Sequence, residues 1–217
     1  MKRHPNTSRR AGVAVIEFAF SCAILIPLLL GAFVFGFRLI HSLEMEQVVR
    51  DLGHMYIRNV DFRNPGPQAN ARTLASSFDL TTTGTSVVVI SKIRIVTQAD
   101  CDANNVTPGT RCTNLDNPVF VEQLMIGNTG LLVGGVNAAK SAFGAPPLQA
   151  DKTVSAANQA NNAAASAGST GAGSGFASVL PLNVGEFAYM VEMINATPDL
   201  NIPGFSGAPQ VYARAIF

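Results

Sequence analysis

The sequence predicts an α+β fold in which one long N-terminal helix packs on a small antiparallel sheet of about four strands. The first observation is an apolar run at residues 13–37 that contains a single charged residue and is followed by an amphipathic segment at 39–63. The second is a set of four later segments rich in β-branched and aromatic residues, which favour strands. Helical and strand-forming segments that follow one another in this way are typical of α+β proteins.

The apolar run is long enough to cross a lipid bilayer as a helix. It has 25 residues, whereas about 20 suffice. Fifteen of them are Leu, Ile, Val or Phe, which contribute about −4.5 to −9 kcal/mol to insertion. Glu17 opposes insertion by at most about 3 kcal/mol. Insertion is therefore favoured, and residues 13–38 are assigned as a transmembrane helix that Pro27 bends without ending it.

The residues before the run predict its orientation. Lys2, Arg3, Arg9 and Arg10 lie in a leader at 1–12 that contains no acidic residue. Positive charge stays on the cytoplasmic side, so residues beyond about 40 are expected outside the cytoplasm. A secretory signal peptide is disfavoured because the run is too long and no convincing A-x-A site follows it. The net charge of the whole chain is only +1, which gives no basic surface for nucleic acid.

The segment at 39–63 is predicted to extend the helix beyond the membrane, to about Arg58. Its apolar residues recur at three- to five-residue steps, which produces a stripe able to pack on an exported domain at 64–217. The stripe consists of Leu39, Leu43, Val48, Leu52 and Met55 or Tyr56. The cluster Asn64-Pro65-Gly66-Pro67 is expected to end the helix.

The exported domain is predicted to hold one short helix and four strands. The helix is expected at about 68–78, with Leu74 and Phe78 on one face. The strands are expected at 85–97, 119–126, 185–195 and 210–217. A segment at about 127–178 is dominated by Ala, Gly, Ser and Asn. Because it has few large apolar groups to offset its ordering entropy, we expect a mobile surface loop there.

Two cysteines, Cys101 and Cys112, bracket a polar loop in the exported domain. An oxidised pair is expected outside the cytoplasm, and two free thiols are the alternative. Closing a loop of about 12 residues stabilises by about 3 kcal/mol on the chain-entropy model. No nearby His or further Cys completes a metal-ligand set. Cys22, in the membrane segment, is interpreted as a small apolar residue.

The sequence shows no catalytic or cofactor-binding constellation. Its three histidines, His4, His41 and His54, do not form a metalloprotease motif. Residues 134–141 (GGVNAAKS) nearly match a phosphate-binding loop, but Ala139 replaces the last glycine and the segment would lie outside the membrane. We therefore predict a protein without enzymatic activity, catalytic residues, cofactor or metal.

The residues around Gly12 form a joint pattern. A basic leader ends at Gly12, Glu17 follows five residues later, Phe18 comes next, and the apolar run continues. On this stretch, RRAGVAVIEFAFSCAILIPLLLGAFVFGFRL at 9–39, the chain resembles the TadE-like minor pseudopilins of the tight-adherence (Flp-type, type IVc) pilus system. Weaker similarity lies in GEFAYMVEMINATP and in VYARAIF. Flp major pilins are similar here but much shorter, so the large exported domain indicates a minor subunit.

The resemblance implies a pilin-like layout and a processing step. In that family a membrane-embedded prepilin peptidase would cut between Gly12 and Val13, which gives Glu17 mature position five and Phe18 position six. Cleavage would create an α-ammonium group at Val13. Glu17 of one subunit could neutralise that ammonium in a neighbour and so reduce the cost of charge in a low dielectric. The alternative is a lone carboxylate solvated at the membrane interface.

The functional hypothesis is a minor pilin-like subunit in the assembly of a Tad/Flp-type pilus, with adhesion implied by the family. Its expected partners are the membrane, the prepilin peptidase, other pilin-like subunits and Tad assembly-platform proteins, but no nucleic acid. The expected location is the bacterial inner membrane, single-pass, with a cytoplasmic N-terminus, an exported C-terminal domain and possible entry into the pilus. The alternative is an uncleaved single-pass membrane protein with an exported binding or scaffold domain.

Overall fold

The computed structural model describes residues 8–104, 112–131, 141–168, 175–196 and 211–217, with side chains from residue 12 onward. The helices are α1 (Ser8–Ile57), α2 (Pro65–Leu74), α3 (Gln98–Ala103) and α4 (Ala156–Asn161). The strands are β1 (Ser86–Ile95), β2 (Pro118–Gly127), β3 (Phe187–Asn195) and β4 (Val211–Ile216). The predicted α+β fold, a long N-terminal helix and a small antiparallel sheet, is confirmed.

The described residues divide into two compact units. The first contains α1 up to His41, and the second contains the chain from Ser42 onward, including the whole sheet. The strand order is β2-β1-β3-β4, and every neighbouring pair is antiparallel. Residues 86–91 of β1 are all buried. The sheet is therefore covered on both faces, which explains why residues 87–90 of β1 form a continuous apolar run rather than an alternating one.

One face of the sheet, which we call the helix face, packs against the C-terminal part of α1. Met45, Val49 and Leu52 of α1 are fully buried. The buried layer between helix and sheet consists of Met45, Val48, Val49, Leu52, Tyr56, Phe62, Ala71, Ala75, Phe78, Leu80, Val88, Ile90, Leu124, Ile126, Val191, Met193 and Ala213. A helix stripe at three- and four-residue spacing thus meets alternate residues of the strands.

The predicted stripe of α1 is only partly correct. Val48, Leu52 and Tyr56 are buried, whereas Leu39 and Leu43 are more than half exposed. The residue that begins the buried stripe is Met45 instead. The steps from 45 through 48 or 49, 52 and 56 follow the 3.6-residue helical repeat, and Leu43 lies about 200° away from Met45 around the helix axis.

A C-terminal cap ends α1 at Ile57, one residue before the predicted end near Arg58. Asn59 adopts a left-handed conformation with φ 62°. The amide of Asn59 donates to the carbonyl of Tyr56 at 3.0 Å, and the amide of Val60 donates to that of Met55 at 3.1 Å. This pair of bonds is a Schellman motif with Asn at its left-handed position.

The cluster at 64–67 begins a helix rather than ending one. Pro65 is the first residue of α2, where its fixed φ and missing N–H are tolerated. α2 spans Pro65–Leu74, so it starts and ends earlier than the predicted 68–78. Leu74 is 45% exposed, whereas Phe78 lies beyond the helix and is buried in the helix-face layer. The prediction that these two residues share a face was wrong because α2 ends between them.

The opposite face, which we call the cover face, is packed against the described part of the Ala- and Gly-rich segment. Phe143, Val154, Ala165, Ala167 and Phe176 are buried against sheet residues that include Phe120 and Met190. The rings of Phe143 and Phe176 meet edge to face, with centroids 5.4 Å apart. The prediction of a surface loop was therefore wrong for these residues. Their few large side chains share one buried cluster with the sheet, and Ala165 and Ala167 belong to the same cluster.

The same segment also closes the outer edge of β2. The amide of Gln123 donates to Lys152 O at 3.1 Å, and the amide of Val154 donates to Val121 O at 2.8 Å. The amide of Ala167 donates to Pro118 O at 2.8 Å. These bonds satisfy backbone groups that an edge strand would otherwise expose.

Phe217 packs on α1 at a glycine. A Cβ built on Gly53 would lie 2.1 Å from Cε2 of the Phe217 ring. The same ring contacts His54, with ring centroids 5.1 Å apart. Glycine costs about 1 kcal/mol relative to alanine in a helix. The close approach of Phe217 explains why glycine is nevertheless found here.

We predict that Gly53→Ala and Phe217→Ala are energetically coupled. In the Phe217→Ala background, Gly53→Ala should stabilise by about 1 kcal/mol, since helix propensity acts alone. In the parent chain that gain should be cancelled or reversed, because the ring must move. Thermal unfolding of the four full-length proteins in detergent measures the cycle. Gly66→Ala is the control, since a Cβ there meets nothing within 4 Å, and its effect should be equal in both backgrounds.

Candidate functional site

The predicted processing site lies within the regular part of α1. Gly12 is exposed and belongs to the helix that begins at Ser8. A Cβ built on Gly12 would meet nothing within 4 Å, and Val13 is 64% exposed. The bond between them is therefore unobstructed by the described part of the chain. Lys2 and Arg3 of the predicted leader lie outside the described residues.

Glu17 lies just over one helical turn beyond Val13. Its side chain is exposed, and Phe18 beside it is 72% exposed. Helical side chains lean toward the N-terminus of their helix, so the Glu17 carboxylate is directed toward the turn that contains Val13. The Ser21 hydroxyl donates to the backbone carbonyl of Glu17 at 3.0 Å. The helix thus presents one charge and the small residue Gly12 on an apolar surface.

The helix that carries these residues is long and apolar enough to cross a membrane. The candidate span covers Gly12–Ile57, and none of its most apolar window is buried within the described chain. Pro27 lies inside α1, which continues through it. The chain is therefore compatible with membrane association and with a single-pass membrane protein.

Cys101 and Cys112 are joined by a disulfide. Cys101 is fully buried in α3 and packs with Val96 and Val119 in a small cluster of its own. A capping box holds the start of α3, since the amide of Asp100 bonds the Thr97 side chain and the Asp100 carboxylate bonds the amide of Thr97. Most of the loop between the two cysteines lies outside the described residues, and Cys22 in α1 is a free thiol.

Asp100 connects this disulfide-bearing helix to the sheet. Arg94 of β1 donates to its carboxylate at 2.9 Å. Burial acts to raise the pKa of Asp100, but hydrogen bonds from Thr97 and the charge and hydrogen bond of Arg94 together hold it below the usual value. This carboxylate therefore stabilises the fold above its unfolded pKa and loses that effect as the pH falls through its folded pKa.

A partly buried polar cluster joins the end of α1 to the sheet on the helix face. Tyr56 donates its hydroxyl to one oxygen of Glu122, and Arg63 pairs with the other oxygen at 2.7 Å. Burial first, and then the Glu122 carboxylate, raise the pKa of Tyr56 above its usual value. The Tyr56 ring also meets the edge of the Tyr189 ring, with centroids 5.1 Å apart. The cluster fixes the helix end relative to β2 and β3.

A fully buried carboxylate, Glu192, lies on the cover face. It is 1% exposed, and one of its oxygens accepts from the Tyr212 hydroxyl at 2.6 Å and from the amide of Ala142 at 3.0 Å. Burial raises its pKa against the opposing effects of Ser141, Tyr212, Ala142 and the positive charge of Arg214. Glu192 thus attaches the cover segment to β3 and β4.

These polar clusters link structural elements, and Tyr56, Arg63 and Glu122 line only a small cavity of about 20 Å³. Within the described ranges no group of three or more His, Cys, Asp or Glu side chains could hold a metal ion. A groove of about 440 Å³ beside the start of β2 is lined by Thr, Asn, Ser, Gly and Ala, with no charged side chain. The phosphate-loop-like segment at 134–141 lies outside the described residues except for Ser141.

Comparison with family models, with curated proteins and with solved structures finds no match to this chain. The function is therefore inferred from the residues alone. The sequence indicated Gly12, Val13, Glu17, Phe18 and the two cysteines, and the structure brings only the cysteines into contact. Sequence reasoning missed Glu192 and Glu122. The available signal was an acidic residue inside a strand that is otherwise largely apolar, in FVEQL of β2 and MVEMI of β3.

We predict that Glu192→Gln flattens the pH dependence of stability. Because the folded-state pKa of Glu192 is raised, its contribution is full below about pH 4.3, the unfolded value, and is lost as the pH rises through the folded pKa. The Gln side chain stays neutral at every pH and still accepts from Tyr212. The free energy of unfolding of the variant should therefore rise relative to the parent between pH 4 and 8. Denaturant titrations across that range measure the difference.

Proposed function

We propose that this chain is a minor pilin-like subunit in the assembly of a Tad/Flp-type pilus, processed between Gly12 and Val13. The observation that carries the proposal is Glu17, the only charge in the apolar run at 13–37 and five residues beyond Gly12. The helix exposes this carboxylate on a surface otherwise made for lipid or for other apolar helices. Such carboxylates are costly and are typically functional.

The chemistry of cleavage supplies the missing partner of this charge. Hydrolysis after Gly12 produces a new ammonium group at Val13 on a helix of the same kind. Pairing that ammonium with Glu17 of a neighbouring subunit lowers the cost of keeping both charges among lipid tails. The apolar parts of the helices then associate through close packing, which Ala32 and Gly36, four residues apart, favour.

The proposed setting follows from this role. The chain is a single-pass protein of the bacterial inner membrane, with its leader in the cytoplasm because of the basic residues there. Its partners are the prepilin peptidase, other pilin-like subunits and the assembly platform, and its role is non-catalytic. The disulfide supports an oxidising location for the sheet unit.

A second candidate is an uncleaved single-pass membrane protein whose exported unit binds or scaffolds other proteins. The observation that favours it is the continuity of α1, which runs from Ser8 through Gly12 without interruption. A protease needs an extended backbone, so this helix would have to open locally before cleavage. The two candidates differ in whether the leader is retained.

We predict that the protein isolated from its native membrane begins at Val13. Intact-mass and N-terminal analysis in cells with and without the prepilin peptidase measures this directly. Gly12→Ala is the conservative control variant, since a methyl group meets no steric obstacle there and the charges of the leader are unchanged. Leader retention in peptidase-positive cells would favour the scaffold candidate and contradict the pilin-like one.

We predict that Glu17→Ala inserts into the membrane but assembles poorly. Removing the carboxylate lowers the insertion cost by up to about 3 kcal/mol, while the ammonium of the neighbour loses its counter-charge. Membrane fractionation measures insertion, and piliation together with co-purification of pilin-like subunits measures assembly. Ser21→Ala is the matched control, one turn further along, and should assemble normally. Unchanged piliation in Glu17→Ala would exclude the assigned role.

A further inference from the structure

The outer edge of β4 carries backbone groups that point away from the sheet. Tyr189 and Phe217 exchange two hydrogen bonds, each 2.9 Å long. Antiparallel pairs alternate along a ladder, so the odd-numbered residues of β4 bond β3 and the even-numbered ones do not. The N–H and C=O groups of Tyr212, Arg214 and Ile216 are therefore directed outward. Among the described residues, no strand or isolated bridge pairs with this edge.

The two edges of the sheet differ in this respect. The edge of β2 is closed by hydrogen bonds from the cover segment at Lys152, Val154 and Ala167. β4 instead has an exposed arginine, Arg214, at its centre. On either side of it lie Tyr212, which is 40% exposed, and Ile216, which is half-buried. Unpaired edges are templates for the addition of another strand, and a central charge restricts which strands can add.

A second copy of the chain does not fit this edge. An antiparallel pair of identical edge strands is related by a two-fold axis perpendicular to the sheet, which reverses every direction within the sheet plane. The register that pairs all three outward residues, Tyr212, Arg214 and Ile216, with those of a second copy has its axis at Arg214. It sets two arginines directly opposite each other, and like charges in that position destabilise the pair. The edge therefore favours a strand of a different protein.

The side chains of β4 define the chemistry of that occupant. Tyr212, Arg214 and Ile216 lie on the cover face, where the Arg214 guanidinium is 4.9 Å from the centroid of the Phe143 ring. In an antiparallel ladder, directly opposed residues share a face and their Cβ atoms are about 4.5–5.5 Å apart. An acidic residue opposite Arg214, with apolar residues two positions away on either side, complements all three side chains.

We propose that the outer edge of β4 binds an extended segment of another protein, with the pattern apolar-x-acidic-x-apolar, as a fifth strand of the sheet. This contact depends on the proposed function for the class of its partner, another subunit of the pilus assembly. Main-chain hydrogen bonds to Tyr212, Arg214 and Ile216 supply the attachment. The ion pair at Arg214 sets the register.

The test is photo-crosslinking of the full-length chain in its native membrane. Benzoylphenylalanine replaces Ile216 in the test protein and Leu74, which is 45% exposed on α2, in the control. Only the position at 216 should yield an adduct, and mass spectrometry should locate it in a segment with the stated pattern. Arg214→Pro should reduce the yield at least tenfold, because an outward N–H is lost while the bonds to β3 remain. Arg214→Lys should retain the adduct, and Arg214→Glu should lose it without any change in backbone chemistry.

Several results would overturn the assignment of this edge. They are an adduct with a second copy, an adduct within the same chain, no adduct at 216, and an adduct unaffected by both Arg214→Pro and Arg214→Glu. The intact mass of the protein from the same membranes shows whether the leader is retained, and so distinguishes the proposed pilin-like role from the proposed strand contact. A retained leader with a normal adduct would reject the pilin-like role but leave the strand contact standing, whereas a Val13 terminus without an adduct would reject only the strand contact.

Discussion

The fold from Ser42 onward depends on the contact between the C-terminal part of α1 and the sheet. Four antiparallel strands of six to ten residues present one face to the C-terminal part of α1, with buried residues of α2 and its flanks beside it. Met45, Val49 and Leu52 fill that face, and burying each such side chain contributes about 1.5–3 kcal/mol. Without the helix, the side chains of β1 on the helix face, Val88 and Ile90, would be exposed to solvent. The same helix that carries the membrane-length segment is thus also a core element of the sheet unit.

The cover face shows how a sequence of small residues can form a packed layer. Its long segment has few large side chains, but Phe143, Val154 and Phe176 are buried, and alanines occupy the spaces between them. Backbone hydrogen bonds from this layer close the edge of β2. Low apolar content predicts disorder when the average over a segment is considered. A few anchors at suitable positions, together with backbone bonds to an edge strand, are sufficient to hold the described part of this segment.

The charged groups divide into two classes by environment. Within the sheet unit Glu122 is partly buried and Glu192 is fully buried, and each has hydrogen-bond donors from a different element. They join helix to sheet or cover to sheet. Glu17 is exposed on an apolar helix, and the described contacts of its residue are made by its backbone. A carboxylate that accepts hydrogen bonds from other elements of the fold holds those elements together. A carboxylate exposed on an apolar helix is instead available to pair with a positive charge of another molecule. This contrast supports the proposed role of Glu17.

The sequence by itself determined the local features. It gave the bilayer-length run, its single carboxylate after Gly12, the four strands to within one or two residues, and the cysteine pair, because each is a property of neighbouring residues. Only the tertiary structure decided the order β2-β1-β3-β4, the burial of Glu192, the start of the α1 stripe at Met45 and the coverage of β2. These features depend on pairing between residues far apart in the chain, and hydrophobic periodicity carries no information on which strand becomes a neighbour or which edge remains open.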